Sequence, residues 1–390
     1  MIPPRMIPYG RQEITQDDID AVTEVLKSDF LTQGPKIAEF EEKFARLCDV
    51  KYAVVVNSCT AALHLACLAL DLKQGDTAWT SPNTFVATSN GALYCGGNVD
   101  FIDIDPQTWN MSVSALEEKL LEAEEAGTLP KIVLPVHFAG QSCDMEAIHN
   151  LSKRYGFKIV EDAAHCIGAS YKGKPVGTCA YSDIAVFSLH PVKIITSGEG
   201  GMITTNSKGI YEKLLRLRTH GITKDPALME EKDGGAWYFE QQELGYHYRI
   251  TDIQAALGIS QMDRLDQYIA RRRELVARYQ SKLAGLSLQL PVSIPEADSS
   301  WHIYVVMLKP EVTKTRREVF DAMREAGIGV NVHYIPVYSH PYYKELGFKA
   351  EDYPENERYY ASAITLPLYP ALTESEQDYI CDTLAGILNS

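Results

Sequence analysis

The sequence holds eight cysteines but no C-x-x-C pair. Cys48, Cys59, Cys67, Cys95, Cys143, Cys166, Cys179 and Cys381 are scattered singly. Neither a zinc site nor a disulfide framework is indicated, and no metal is expected. Long apolar runs are also lacking. None approaches the roughly 18–20 residues that span a bilayer, and Met1-Ile2-Pro3-Pro4-Arg5 has no apolar signal core. These two absences point to a reduced, cytoplasmic protein with no membrane partner. Positive charge is scarce as well. With 37 Lys and Arg against 52 Asp and Glu, the net charge is −15, which argues against nucleic acid as a partner. The one dense basic run, Arg271-Arg272-Arg273, falls within Leu265…Ile269…Arg272…Val276…Tyr279. That spacing predicts a helix with one apolar stripe and a solvated charged face.

What is present is apolar enough to fold. At 390 residues and 45% hydrophobic, the chain can build one large α/β domain and a smaller one. Thr15 with Asp18 three residues on predicts a helix start. Ala53-Val54-Val55-Val56 reads as a strand, Asn57-Ser58-Cys59-Thr60 as a polar turn and Ala61–Ala66 as a helix. Further strands are expected at 99–104, 132–136, 159–161, 184–188 and 202–204. Strands alternating with helices predict a mainly parallel sheet covered on both faces. After about residue 260 the pattern changes. A strand at 303–308, a helix at 316–325 and a turn into a strand at 327–332 suggest an α+β unit. The expected division is 1–260 and 261–390.

The chemistry lies in three segments. Lys158-Ile159-Val160 ends in Glu161-Asp162-Ala163-Ala164-His165, and Phe187-Ser188-Leu189-His190-Pro191-Val192 leads to Lys193. A carboxylate at the end of a buried strand and a lone lysine after another suit pyridoxal phosphate (PLP). The lysine would form the Schiff base, and Asp162 would keep the ring nitrogen protonated. Each residue alone has a plainer explanation: Asp162 as a helix cap, Lys193 as one more surface lysine. The turn at Ser58-Cys59-Thr60 opens a helix, where free N–H groups favour a phosphate, although Ser and Thr are also ordinary caps. Phe85 could stack on the pyridine ring or simply fill the core. His165 could lie on the ring's other face, lie near the cofactor hydroxyl, or serve as a helix-start histidine. Gly198-Glu199-Gly200-Gly201 would let the backbone approach the cofactor closely.

Together these segments resemble the DegT/DnrJ/EryC1/StrS family of sugar aminotransferases. The resemblance rests on Ser58-Cys59-Thr60-Ala61-Ala62-Leu63-His64-Leu65, the segments ending in His165 and Lys193, and Tyr246–Gly258. It implies a fold-type-I PLP-dependent transferase like aspartate aminotransferase, with a mainly parallel large domain and a smaller C-terminal α+β domain. By position, Lys193 would anchor the cofactor, Asp162 would pair with its ring nitrogen, Ser58, Thr60 and Ser188 would hold its phosphate, and Phe85 would stack on it. Where the family usually has Asn, this chain has His247, expected to reach the phosphate from a neighbouring subunit. Cys59 replaces a frequent Gly and is tolerable if its φ is negative. Arg249 would face the sugar nucleotide or the donor carboxylate across a homodimer interface.

Ile7–Gln12, Leu31–Pro35 and Asn331–Val337 resemble the pseudaminic-acid branch of the family. That branch aminates C4 of a UDP-linked 4-keto-6-deoxy-N-acetylhexosamine from L-glutamate, by way of pyridoxamine phosphate (PMP). Tyr9, His333 and Tyr334 would then contact the nucleotide-sugar substrate. Two other readings differ in kind. A PMP-dependent dehydratase would carry histidine at the lysine position, and here Lys193 is present with His190 three residues before it. A non-catalytic PLP-binding regulator would need a DNA-binding module, for which the acidic chain leaves no room.

Overall fold

Seven apolar segments form the central sheet. They are β1 (Tyr52–Val56), β2 (Thr77–Thr80), β3 (Asn98–Phe101), β4 (Ile132–Leu134), β5 (Lys158–Asp162), β6 (Ile184–Ser188) and β7 (Gly201–Thr205). The computed structural model describes residues 6–231 and 234–389. The five N-terminal residues read for a signal core lie outside these. The strand order is β1-β7-β6-β5-β4-β2-β3. β6, β5, β4, β2 and β3 run parallel, each to its neighbour. β7 is antiparallel to both β1 and β6. The connection from Ser188 to Gly201 contains no helix, and without a crossover the chain returns antiparallel.

Both faces of the sheet are covered, as the unbroken apolar runs require. Val54, Val56, Ile184 and Val186 enter one core, while Ala53, Val55, Ala185 and Phe187 enter the other. A second unit holds the antiparallel strands Leu288–Gln289, Tyr304–Leu308 and Ala363–Leu366. The Leu265–Leu283 helix joins the two. Its Leu265, Tyr268 and Ile269 enter a core of the central sheet, and its Leu275, Val276, Tyr279 and Leu283 enter the core of the second unit.

Local signals locate the helix starts well. Thr15 caps Gln16–Lys27 with Asp18 in a capping box. Asp18 is buried and also accepts from Gln261 Nε2 at 2.8 Å and Arg264 Nη2 at 2.6 Å, fastening this helix to the Asp252–Met262 helix. The Arg316–Glu325 helix and the 184–188 strand match the sequence reading. The strand expected at 327–332 is reduced to two isolated bridges, Ile328 to Ile7 and Asn331 to Thr365. There the Gly329 N–H bonds the Ile7 carbonyl at 2.6 Å, so the N-terminal segment takes the pairing a strand would use.

The arginine run departs from expectation. Arg271 and Arg273 pair with Glu274 and Asp298 near the surface. Arg272 is 2% exposed. Its Nη1 donates to the carbonyls of Trp301 (3.1 Å), His302 (2.9 Å) and Leu368 (3.1 Å). It occupies the apolar stripe and satisfies three backbone carbonyls that lie outside the strands. Burial lowers its pKa to about 10, so it stays cationic at neutral pH. We expect Arg272→Ala to cost about 3 kcal/mol or more, since three buried acceptors lose a charged donor. Arg273→Ala, at an exposed pair, should cost less than about 1 kcal/mol. Urea midpoints of the two variants measured side by side check this ordering.

Candidate active site

Register brings the site together. Gly201 pairs with Val56 on one side and with Ser188 on the other. Asp162 pairs with Val186 on the next strand. The ends of β1, β5 and β6 therefore converge at the start of β7, around a cavity of about 760 Å³. Ligand sites of open α/β sheets lie at this strand end. A Cβ on Gly201 would sit 2.4 Å from the Ser58 carbonyl oxygen, so this glycine admits the backbone of the Ser58 turn.

Ser58 caps the Cys59–Ala69 helix, its hydroxyl accepting from Ala61 N–H at 3.1 Å. Its own hydrogen remains available to a phosphate. Cys59 is the first helical residue and is not among the positive-φ residues, so its side chain is tolerated. Thr60 and Ser188 line the same end of the cavity.

Lys193 lies in the loop between β6 and β7. Leu189 closes that loop twice, accepting from Ser197 N–H and donating to the Gly200 carbonyl, each at 3.0 Å. Among the described residues, the Lys193 ammonium forms no hydrogen bond or ion pair. Burial lowers its pKa to about 8, against the opposing pull of Cys59 and Asp162. Asp162 is 4% exposed and accepts from Thr88 Oγ1 at 2.6 Å and Ala164 N–H at 3.1 Å. Burial raises its pKa, while these two donors and the nearby charges of Lys193 and His137 work to lower it. Thr88 was not singled out from the sequence. A threonine inside a helix gives no signal until the fold places it over Asp162. On the strand's other face, buried Glu161 bonds His137 Nε2 at 2.7 Å.

Tyr9 and residues 331–334 also line the cavity. His333 Nδ1 bonds Thr365 Oγ1 at 2.8 Å, and burial, with Lys193 nearby, lowers its pKa to about 3. Burial raises both Tyr9 and Tyr334, so their hydroxyls stay protonated. His165 is 6% exposed and is held neutral by burial and by the Lys193 charge. Phe85 is 60% exposed and borders the cavity, its ring 6.4 Å from Tyr334.

Eleven of the thirteen residues singled out for the site therefore border one cavity. His247 and Arg249 do not. The His247 ring stacks on His220 at 5.4 Å. Arg249 does not pair with Asp252, whose carboxylate accepts from the N–H groups of Gly34 (2.8 Å) and Lys36 (3.0 Å). Arg249 Nε has no partner among the described residues.

The residues present fit PLP: a buried carboxylate at one strand end, a desolvated amine facing it, and hydroxyls and a helix start for a phosphate. The comparisons agree. Residues 12–385 match the model of the DegT/DnrJ/EryC1/StrS aminotransferase family. The chain is 38% identical over 387 residues to a Campylobacter jejuni UDP-4-amino-4,6-dideoxy-N-acetyl-beta-L-altrosamine transaminase, covering 98% of each. It is 38% identical over 386 residues to the Bacillus subtilis spore coat polysaccharide biosynthesis protein SpsC, covering 98% of this chain and 97% of that one. Among solved structures it is similar to Helicobacter pylori PseC, an aminotransferase involved in the biosynthesis of pseudoaminic acid. That match has a TM-score of 0.88 at 27% identity and covers 99% of this chain and 100% of that one. It is also similar to Streptococcus pneumoniae Spr1654 in its PMP form, provisionally assigned as a sugar aminotransferase. There the TM-score is 0.89 at 30% identity, covering 98% and 99%.

The lowered amine sets a pH dependence. The neutral amine is the form that reacts with an aldehyde. At pH 7 roughly one in ten such groups is neutral with a pKa of about 8, against fewer than about one in a thousand for an ordinary lysine. The rate of PLP uptake by cofactor-free protein should rise with pH and level off above about 8. Stopped-flow absorbance measures it, and a rise that continues to the ordinary lysine range would count against a desolvated Lys193.

Proposed function

The chain belongs to the DegT/DnrJ/EryC1/StrS aminotransferase family, and on that premise we propose that it moves the amino group of L-glutamate to C4 of a UDP-linked 4-keto-6-deoxy-N-acetylhexosamine, as in pseudaminic acid assembly. The enzyme is a PLP-dependent sugar aminotransferase whose cofactor alternates with PMP. One observation carries the finer reading. Lys193 and Asp162 share their cavity with Tyr9 and residues 331–334, which bear no ionised group. Such a lining suits the hydroxyl and carbonyl oxygens of a sugar better than a carboxylate. The names of the Campylobacter jejuni and Helicobacter pylori relatives support the choice of sugar.

When bound, the cofactor supplies an aldehyde that exchanges amines and a ring that accepts electrons. The chain's own residues do the rest. Asp162, buried and fixed by Thr88 and Ala164, presents a carboxylate to the ring nitrogen. Ser58, Thr60 and Ser188 hold the phosphate. Phe85 covers the ring. Lys193 Nζ takes the α-proton of glutamate, and in the second half it delivers a proton at C4 of the sugar. A pKa of about 8 suits an amine that must both accept and donate near neutral pH.

We further propose a homodimer in which His247 and Arg249 complete the partner's site. Both lie outside the cavity of their own chain, and Lys193 is the only Lys or Arg bordering that cavity among the described residues. The glutamate carboxylates and the nucleotide diphosphate need cations, and Arg249 offers a planar fork suited to either. The cytoplasm is the proposed compartment, in keeping with eight free cysteines.

Two experiments test these readings. PMP-loaded protein mixed with a panel of nucleotide-linked keto sugars should return to the PLP absorbance fastest with the UDP-linked 4-keto-6-deoxy-N-acetylhexosamine. Preference for a sugar lacking the N-acetyl group would reject the proposed substrate. Inactive Lys193→Ala and Arg249→Ala chains mixed together should regain part of the activity, because each hybrid dimer keeps one site with both residues intact. No recovery, with hybrids seen by native mass spectrometry, would mean that each chain builds its own site.

A further inference from the structure

His165 and Tyr334 have hydrogen positions that the backbone decides. Ala139 N–H points at His165 Nδ1 at 3.3 Å. A backbone amide can only donate, so Nδ1 must carry a lone pair. In a neutral ring the hydrogen then sits on Nε2. Nε2 lies 3.0 Å from the Tyr334 hydroxyl, which is therefore the acceptor. The tyrosine's own hydrogen must point elsewhere, and no other partner of that hydroxyl is found among the described residues. The ring borders the cavity and packs against Phe138 at 6.3 Å.

The amide that starts this chain is held in place at a cost. Ala139 has φ +58, a left-handed conformation that costs an alanine energy. Two bonds maintain it: His302 N–H to the Ala139 carbonyl at 2.9 Å, and Ser300 N–H to the Gly140 carbonyl at 3.0 Å. At the next position, a Cβ on Gly140 would lie 2.7 Å from the Trp301 nitrogen. Tyr334 is fixed from its own side too, its N–H donating to Asn83 Oδ1 at 3.2 Å.

We propose that Tyr334 donates its hydroxyl hydrogen to the ketone oxygen of the nucleotide-linked sugar, and that His165 is the positioning residue that frees this hydrogen. The inference rests on the keto-sugar reading above. Tyr9, Asn331, Val332 and His333 beside Tyr334 carry no cation and no anion, which suits a neutral oxygen. A donor fixed before the ligand arrives polarises the carbonyl without reorganising.

Half-reactions separate this role from a structural one. Tyr334→Phe should slow the keto-sugar half-reaction about 100-fold while changing the glutamate half-reaction less than about threefold, as for loss of one preorganised donor. His165→Ala should behave like Tyr334→Phe. His165→Gln should recover most of the rate, because its amide oxygen can accept from Ala139 and its amide nitrogen can donate to Tyr334. Equal slowing of both halves by Tyr334→Phe would overturn the assignment and place the hydroxyl on the cofactor instead. Nitrogen-15 NMR of His165 in the PLP-loaded protein should show a bare Nδ1 and a protonated Nε2. The reverse tautomer, or an imidazolium, would overturn the relay even with turnover intact. A wild-type protein that converts no nucleotide-linked ketone would sink the functional reading and the ketone assignment together, while the tautomer spectrum stayed as drawn, so the two failures are distinct.

Discussion

The site depends on one close approach, that of Gly201 to the Ser58 turn. β7 enters a parallel sheet antiparallel and pairs with both β1 and β6. Its first residue must therefore fit against the backbone that links β1 to the Cys59–Ala69 helix. Only a residue without Cβ leaves that space. The same strand reversal makes the 189–200 loop necessary, and that loop carries Lys193. The helix start proposed for the phosphate and the lysine proposed for the cofactor aldehyde are thus set by one piece of sheet topology.

Electrostatics then divides the cavity. On one side, Asp162 and Lys193 share a buried region in which burial pushes the carboxyl up and the amine down. Each disfavours its charged form alone, and each favours the other's charge. This keeps both near the protonation states that a proton-moving site needs. On the other side, Tyr9, His333 and Tyr334 are polar but uncharged. A ligand with both anionic and neutral parts is therefore oriented before any specific contact is counted. In the proposed reading its neutral part turns to residues 331–334, and its anions to other groups.

Much of this was legible in the sequence, for local reasons. Caps at Thr15, Thr251 and Ser58 mark helix starts through nearest-neighbour hydrogen bonds. Short β-branched or apolar runs mark six of the seven central strands, while Thr77–Thr80 was not read from the sequence. Asp162 ends such a run and Lys193 follows another by five residues, so their residue type and position are informative together. What could not be read depends on contacts distant in sequence. Thr88 reaches Asp162 across 74 positions. Arg272 looks like one of three surface arginines until carbonyls near residues 301 and 368 close on it. The antiparallel direction of β7 leaves no trace in its own residues, only in the missing crossover helix before it.

The scarcity of cations around the cavity joins the two levels. The chain has 37 Lys and Arg, yet among the described residues only Lys193 borders the cavity, and its pKa is lowered. A second cation fixed inside the same chain would lower that amine further, because like charges disfavour ionisation. It would also compete with Lys193 for Asp162. A cation supplied by another subunit, arriving with the assembled dimer at the anionic end of the ligand, avoids both effects. Arg249 is suited to that division of labour: outside its own cavity, not committed to Asp252, and with Nε unpartnered among the described residues. In the proposed dimer, the carboxyl assigned to the ring nitrogen and the basic group assigned to the ligand's anions would each keep its charge, because the fold separates them within one chain.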